Sequence, residues 1–346
     1  MILTRRNAIA ATIAAALAAS SAAALPAAAQ STNLRVHTAN PGSSAFSFTT
    51  TFQTVAQREL PVRMNVTSGM TSTRSTLDAA RGDVDLYISS PAISHFMRTG
   101  TAMFKDMANA PQLAGNLRGI VNFPLGPYHV ITYANSGIES LKDIKGKRVF
   151  AGPPGGAATT VGLAIIESAT GFKPDVEYEL AKLDWNSGNQ AFQDRQVALA
   201  IIPTELPSAN IQQFALLDKI RLISIPEPAF KVDPLKAMIS LPGRTISRIP
   251  PDIYGDNQVN EAEVLAVGSF VGIGVRKDLD EELVYALTKA IFENIADFHN
   301  AAEWMKVITP QTAFDNMNVP LHPGALRYYR ETGLDVPEDL IAPEAK

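Results

Sequence analysis

The residues of this chain best suited to chemistry follow a short apolar run near its middle. The segment from Lys147 to Gly171 reads KRVFAGPPGGAATTVGLAIIESATG, which predicts a buried strand, a glycine-rich turn and a helix. The first amides of a helix have no intrahelical partner and lie at the positive end of its dipole. Because a carboxylate or phosphate is stabilised there, the pattern predicts an anion-binding turn.

Each residue of this turn has a predicted part in holding an anion. Gly155 and Gly156 let the backbone approach a ligand without an intervening Cβ. Ala157 and Ala158 open the helix with small side chains, and Thr159 adds a hydroxyl donor. A turn that only connects a strand to a helix is the alternative interpretation.

The residues of this turn do not match nucleotide-binding motifs. A phosphate loop requires a lysine and a hydroxyl after its glycines, and no lysine follows Gly155 or Gly156 here. A dinucleotide fingerprint requires G-x-G-x-x-G, a spacing that these glycines do not give. The sequence therefore predicts neither nucleotide nor any other cofactor.

The amino terminus is typical of an export signal. Arg5 and Arg6 precede a long alanine-rich run without acidic residues, followed by small residues in an A-x-A pattern. The arginine pair resembles a twin-arginine signal. We expect residues 1–29 to be removed by cleavage after Ala29, which predicts a periplasmic protein; an uncleaved membrane anchor is the alternative.

Composition excludes several classes of partner and chemistry. Without residues 1–29 the formal charge moves from −4 to −6, with 28 basic and 34 acidic residues. No basic stripe of the kind that binds a phosphate backbone is present, so nucleic acid is not a predicted partner. The absence of cysteine removes disulfides and thiolate chemistry, and the five histidines lack metal-ligand spacing, so no metal site is predicted.

The order of apolar runs predicts an α/β fold with two parallel units. Four predicted strands lie at LRVHTA, VRMNVTSG, VDLYISSP and IVNF, and four more at KRVFAG, VEYELAKL, VALAIIP and IRLISIP. Helical patterns between them cover residues 43–60, 73–81, 157–170, 187–195 and 207–217. Alternation of strands and helices indicates parallel sheets covered by helices.

Two longer apolar runs predict crossings between the units. Tyr128–Ala134 lies between the two series, and Val264–Arg276 follows the second and precedes a strong helical pattern. The predicted first lobe is therefore discontinuous, residues 30–129 with 270–346, and the second lobe covers residues 130–269. Because ligands bind beyond the carboxyl ends of parallel strands, a cleft between the lobes is expected.

Polar residues at predicted strand ends are candidates for binding an anion in this cleft. The candidate hydroxyl residues are Ser43, Ser44, Thr71, Ser72, Ser90 and Thr204. Helix capping is the alternative for such residues. Arg74 offers a bidentate donor for a carboxylate, but it also lies four residues before Asp78, a spacing that favours an ion pair. Phe46 is a candidate for an apolar wall.

Two motifs carry a resemblance to a known family. ANSGIESLKDIKGKRVFAGPPGG and VPLHPGALRYYRETG resemble the TAXI family of solute-binding subunits of tripartite ATP-independent periplasmic (TRAP) transporters, over essentially the whole chain after the signal. TSGMTSTRSTLDAARGDVDLYISSP resembles the family's loop, helix and strand.

The resemblance implies a type II periplasmic-binding-protein fold with two lobes, two crossing strands and a central cleft. It also implies capture of a small carboxylate or amino acid, commonly glutamate, and its delivery to a TRAP permease.

This chain departs from the family pattern at the loops that contact ligand. Gly152-Pro153-Pro154-Gly155-Gly156-Ala157-Ala158-Thr159 replaces a more polar sequence, which favours a less polar or differently charged carboxylate over glutamate. A receptor for an ATP-driven importer, or a ligand sensor, remains an alternative on the same fold. No G-x-S-x-G or H-E-x-x-H motif is present, so the sequence does not predict an enzyme.

Overall fold

The computed structural model describes residues 31–346. The predicted export signal, residues 1–29, lies outside the described residues. Thr32–Lys346 forms one compact unit. Within the described part of the chain, no helix is long and apolar enough to cross a membrane.

Strands and helices alternate along most of the described chain. The strands are β1 Thr32–His37, β2 Val62–Thr67, β3 Leu86–Ser89, β4 Leu117–Tyr133, β5 Arg148–Phe150, β6 Glu179–Leu180, β7 Leu199–Pro203, β8 Ile220–Leu222, β9 Arg244–Ile249 and β10 Val264–Arg276. The α-helices are α1 Ser44–Glu59, α2 Ser72–Arg81, α3 Pro91–Thr99, α4 Ala110–Ala114, α5 Ala157–Thr170, α6 Trp185–Gln193, α7 Ala209–Leu217, α8 Leu235–Ile239, α9 Glu281–Glu293, α10 Ile295–Ala301 and α11 Pro323–Glu331.

The sheet has two parallel groups joined by the long strands β4 and β10. In the N-terminal half, β1 pairs parallel with β2 and β3. In the central half, β5 pairs parallel with β6 and β7. Strand β4 pairs antiparallel with β10 and, further along, with β7 and β8. The predicted two-lobed α/β fold with two crossing strands is confirmed, whereas the lobe boundaries stay a prediction.

The first crossing strand is longer than the sequence pattern indicated. The runs IVNF and YHVITYA were predicted as separate strands, but both belong to β4. The intervening Gly126 has φ +109°, a conformation that glycine adopts readily, and the pairing with β10 shifts register next to it. An irregularity at this point keeps the strand continuous across both halves of the sheet.

Separate apolar cores support the two halves. Under the N-terminal half, Phe48 of α1 stacks on Phe123 of β4 with ring centroids 4.4 Å apart. In the central half, Ile201 of β7 faces one core and its neighbour Ile202 faces another. Alternate side chains of a strand point to opposite faces, so this half of the sheet is covered on both sides.

Two elements near the cleft were not predicted from the sequence. Helix α3 begins directly after Ser90 with Pro91 in its first turn, where proline is tolerated. Strand β9 pairs with β10 and places Arg244 opposite Ser269. The predicted strand VEYELAKL is reduced to the two residues of β6.

Candidate functional site

A cavity lies where the ends of the parallel strands in both halves of the sheet converge. It contains about 640 Å³ of empty space, part of it open to solvent. Its lining residues are Ala39, Asn40, Ser43, Met70, Thr71, Ser72, Ser90, Leu125, Tyr128, Pro153, Gly156, Ala157, Ala158, Trp185, Pro203, Arg244, Ser269 and Val271.

Arg244 is the only charged residue among the described residues that line this cavity. It is 9% exposed and forms no salt bridge with a carboxylate of the described chain. Its Nη1 donates to Tyr128 Oη at 3.0 Å and to Ser269 Oγ at 2.6 Å, and its Nε has no hydrogen-bond partner among residues 31–346. A buried cation without a counter-ion is costly unless an anion joins it.

The two hydroxyl groups beside Arg244 are arranged to donate further. Arginine has no acceptor, so Tyr128 Oη and Ser269 Oγ must both accept from its guanidinium. Each hydroxyl therefore keeps its own hydrogen for another group. Since both residues line the cavity, the guanidinium and the two O–H groups form a cluster of donors suited to an oxyanion.

Helix α5 presents its N-terminus to the same cavity. Its N-cap is Gly156, which has no side chain to satisfy the first amides. Gly156, Ala157 and Ala158 line the cavity, and their small side chains leave the backbone accessible. The predicted anion-binding turn and Arg244 thus face one space.

Seven of the predicted ligand-binding residues line the cavity, and the side chains of two of these also cap helices. The seven are Ser43, Thr71, Ser72, Ser90, Gly156, Ala157 and Ala158. Ser43 Oγ accepts from the amide of Phe46 at 3.2 Å, and Thr71 Oγ1 accepts from the amide of Arg74 at 3.2 Å. Ser90 makes no such capping bond although it precedes α3, so its hydroxyl is available to a ligand.

The other six predicted residues lie outside the lining: Ser44, Phe46, Arg74, Gly155, Thr159 and Thr204. The hydroxyls of this set are committed to protein acceptors. Ser44 Oγ donates to Leu125 O at 3.1 Å and Thr159 Oγ1 to Pro153 O at 2.5 Å. Gly155 is exposed with φ +72° and open space around it, so the turn's conformation, rather than ligand approach, requires a glycine there.

Arg74 follows the second of the two interpretations that its sequence position left open. Its Nε donates to Asp78 Oδ2 at 2.6 Å, one helical turn away. The Arg74 side chain is 66% exposed, and Asp78 is buried. The guanidinium therefore balances the charge of Asp78 on the surface of α2 instead of facing the cavity.

Apolar side chains form most of the remaining wall. Trp185, half-buried at the start of α6, packs edge-on against Phe150 with centroids 5.6 Å apart. Met70 and Leu125 line the N-terminal half of the cavity. Tyr128 lines the cavity, whereas Phe46, the residue predicted for an apolar wall, does not.

Sequence reasoning missed Arg244, Ser269 and Trp185. The one signal for Arg244 is the Pro242-Gly243 turn before an alternating strand, TISRI. The sequence does not show that β9 pairs with β10, and this pairing brings Arg244 beside Ser269.

Glu205 lies outside the lining, among helix amides. Its carboxylate accepts from Thr204 Oγ1 at 2.6 Å, and the backbone amides of Ser44 and Ala209 lower its pKa. Burial nevertheless raises the pKa of Glu205 above its ordinary value, because these hydrogen bonds offset desolvation only in part.

No histidine is among the described residues that line this cavity. His322 caps α11 by accepting from the amide of Gly324 at 3.3 Å. Burial lowers the pKa of His322. Within residues 31–346, no cluster of three or more His, Cys, Asp or Glu side chains has a metal-binding arrangement.

Comparison with known proteins identifies a family and several distant structures. The sequence matches the NMT1-like family over residues 36–333, which is most of the chain. The structure is similar to the aliphatic sulphonate binding protein SsuA of Escherichia coli, with 13% identity, a TM-score of 0.43, and coverage of 87% of this chain and 83% of that one.

Two further solved structures show similarity of the same order. The alkanesulfonate-binding protein SsuA of Xanthomonas axonopodis pv. citri, bound to MOPS, has 14% identity, a TM-score of 0.44, and coverage of 92% of this chain and 99% of that one. A TRAP periplasmic solute-binding protein of Shewanella oneidensis with bound succinate has 11% identity, a TM-score of 0.44, and coverage of 87% and 91%. Similarities at this level carry no information about the ligand of this chain.

Proposed function

We propose that this chain, which belongs to the NMT1-like family, is an extracytoplasmic receptor that binds a small organic carboxylate in the cavity and delivers it to a membrane permease. The observation that carries this proposal is Arg244, a buried cation that lines the cavity and has no carboxylate partner in the part of the chain that the structure describes. A bound carboxylate supplies the missing counter-ion.

The donors around Arg244 fit one oxyanion group. A carboxylate accepts from the guanidinium and from the O–H groups of Tyr128 and Ser269, which the arginine leaves free to donate. The amides that open α5 add a favourable dipole. Charge-assisted hydrogen bonds of this kind are stronger than neutral ones, particularly away from water.

We further propose that the lobes, residues 30–129 with 270–346 and residues 130–269, close over this ligand. A closed, loaded receptor differs in surface from an open one, so a permease distinguishes them by differential affinity. The export signal, cleaved near Ala29, places the receptor in the periplasm. The resemblance to the TAXI family favours a TRAP permease as the partner, with an ATP-driven importer as the alternative.

Thermal unfolding in the presence of organic acids tests the binding proposal. A ligand that binds only the folded state adds about 2.7 kcal/mol of stability at one hundred times its Kd. We expect at least one acid from a panel of monocarboxylates, dicarboxylates, sulfonates and amino acids to raise Tm of the wild-type protein. Arg244→Gln should abolish that shift.

Arg248→Gln is the matched control for this variant. Arg248 lies on the same strand, but its side chain is 64% exposed and pairs with Glu263. The control should keep the full ligand-induced shift. A panel without any stabilising acid, or an equal shift in Arg244→Gln and wild type, would refute the proposed function.

A further inference from the structure

We propose that the cavity selects monoanionic acids with an apolar body, carboxylic or sulfonic, over amino acids and over dicarboxylates. This inference rests on the proposed function and names the class of ligand for the same site. It follows from the balance of charges and of polar groups around the cavity.

The cavity offers one positive group and no negative one. Of its described lining residues, Arg244 alone is charged, and none is Asp, Glu, Lys or His. A ligand with one acidic group has its charge balanced by this guanidinium. A second carboxylate, or the ammonium group of an amino acid, finds no further side chain of opposite charge among the described lining residues and loses part of its hydration there.

The acidic side chains nearest in sequence to the lining residues interact with other groups of the protein. Glu205 accepts from Thr204 Oγ1 at 2.6 Å, and two helix amides favour its charged form. Asp184, before Trp185, caps α6 by accepting from the amide and hydroxyl of Ser187. Neither lines the cavity, so neither provides a partner for an ammonium group.

The wall away from Arg244 is suited to hydrocarbon. Trp185, Met70, Leu125 and Val271 contribute apolar surface from both halves of the sheet. Burial of an apolar body against such residues contributes roughly 25 cal/mol for each Å² removed from water. The head group is thus fixed by donors at one end, and the body contacts aliphatic and aromatic side chains.

Calorimetric titration of the wild-type protein with matched pairs of acids tests this selectivity. 3-Phenylpropanoate and L-phenylalanine differ only by the α-ammonium group, whereas hexanoate and adipate differ in whether the chain ends in a methyl or a second carboxylate. Hexanesulfonate replaces the carboxylate head. We expect the apolar monoanion of each pair to bind at least about tenfold more tightly, because the extra charged group is desolvated without a partner.

The outcomes separate the two proposals. Equal or tighter binding of L-phenylalanine or adipate would overturn the selectivity and leave the receptor function standing. Absence of binding by every acid would overturn both. Binding of hexanesulfonate but not hexanoate, with the dianion and zwitterion still weaker, supports the selectivity and assigns the head group to a sulfonate.

Tryptophan fluorescence locates the apolar body within the cavity. The chain contains two tryptophans, Trp185 and Trp304, and only Trp185 lines the cavity. In Trp304→Phe, 3-phenylpropanoate should change the emission of Trp185 with the Kd found by calorimetry. Trp185→Phe should bind with measurable heat but without that change; an unchanged Trp185 emission during binding would overturn the proposed position.

Discussion

At the scale of single residues, burial and hydrogen bonding hold His129 in its neutral form. Its Nε2 lies 2.7 Å from Tyr254 Oη, and its Nδ1 lies 3.1 Å from Pro127 O. Since the carbonyl only accepts, Nδ1 donates and Nε2 accepts from the tyrosine, whose oxygen in turn accepts from the amide of Ser208. Burial lowers the pKa of His129 to about 4.

This lowered pKa predicts a dependence of stability on pH. Between about pH 4 and the ordinary histidine pKa of about 6.5, the unfolded chain binds a proton that folded His129 does not. Stability should therefore fall as pH decreases through this window, by on the order of 3 kcal/mol from this residue. Urea unfolding of His129→Gln between pH 4.5 and 8 should show a shallower dependence than wild type.

A smaller slope should remain in the variant, because burial also lowers the pKa of His37 and His322. Identical slopes in His129→Gln and wild type would contradict the assignment of this effect to His129. The comparison uses slopes rather than absolute stabilities, so a general loss of stability in the variant does not affect it.

Two arginines illustrate which roles of single residues can be predicted from the sequence. Arg74 stands beside a predicted loop and was a candidate anchor for that reason, yet the acid four residues later takes its guanidinium. Arg244 lines the cavity only because β9 pairs with β10 and places it opposite Ser269. The spacing of residues along a helix predicts ion pairs. The pairing of strands that are distant in sequence cannot be predicted from the sequence of either strand alone.

At the scale of elements, Gly126 allows β4 to pass between the two halves of the sheet. Its φ is +109°, and a Cβ at this position would lie 1.9 Å from the carbonyl oxygen of Thr204. Both the backbone conformation and the close contact therefore exclude a side chain. The neighbouring residues Leu125 and Tyr128 line the cavity, so this contact also positions the binding site.

Gly126→Ala should destabilise the protein by about 3 kcal/mol or more, because backbone strain adds to a clash that only backbone movement relieves. Gly137→Ala is the control, since Gly137 also has a positive φ of +75° but open space around its Cβ position. That variant should lose only about 1 kcal/mol. Chemical denaturation of both proteins measures the difference, and equal losses would show that the contact with Thr204 contributes nothing.

Prediction of elements succeeded where the pattern was local and strong. The limits of α5, residues 157–170, agree with the sequence pattern because a glycine turn precedes it and Gly171 ends it in a left-handed conformation. Strand β4 was divided in two because its middle, FPLGP, contains the residues that usually end strands. Its continuity depends on pairing with β10 and β7.

At the scale of the whole molecule, one buried carboxylate connects the two halves of the structure. The amide of Ser44, which opens α1, and the amide of Ala209, which opens α7, both favour the charged form of Glu205. Helix α1 packs in the core of the N-terminal half, and α7 in a core of the central half. The dipoles of two helix N-termini stabilise the negative charge of Glu205, whereas burial of the carboxylate destabilises the charged form.

This balance predicts a pH effect opposite to that of His129. Burial raises the pKa of Glu205 in the folded protein, so its contribution to stability is fully present below the ordinary value of 4.5 and is lost as pH rises through the raised value.

Glu205→Gln has nearly the same size and no charge. Its stability relative to wild type should therefore increase from pH 4.5 to pH 8 in urea unfolding, whereas Glu261→Gln, an exposed control, should show no such trend. A relative stability that is constant or decreases with pH would mean that the charge between the two helices costs the folded protein nothing, and that the Thr204 hydroxyl and the amides of Ser44 and Ala209 fully replace water.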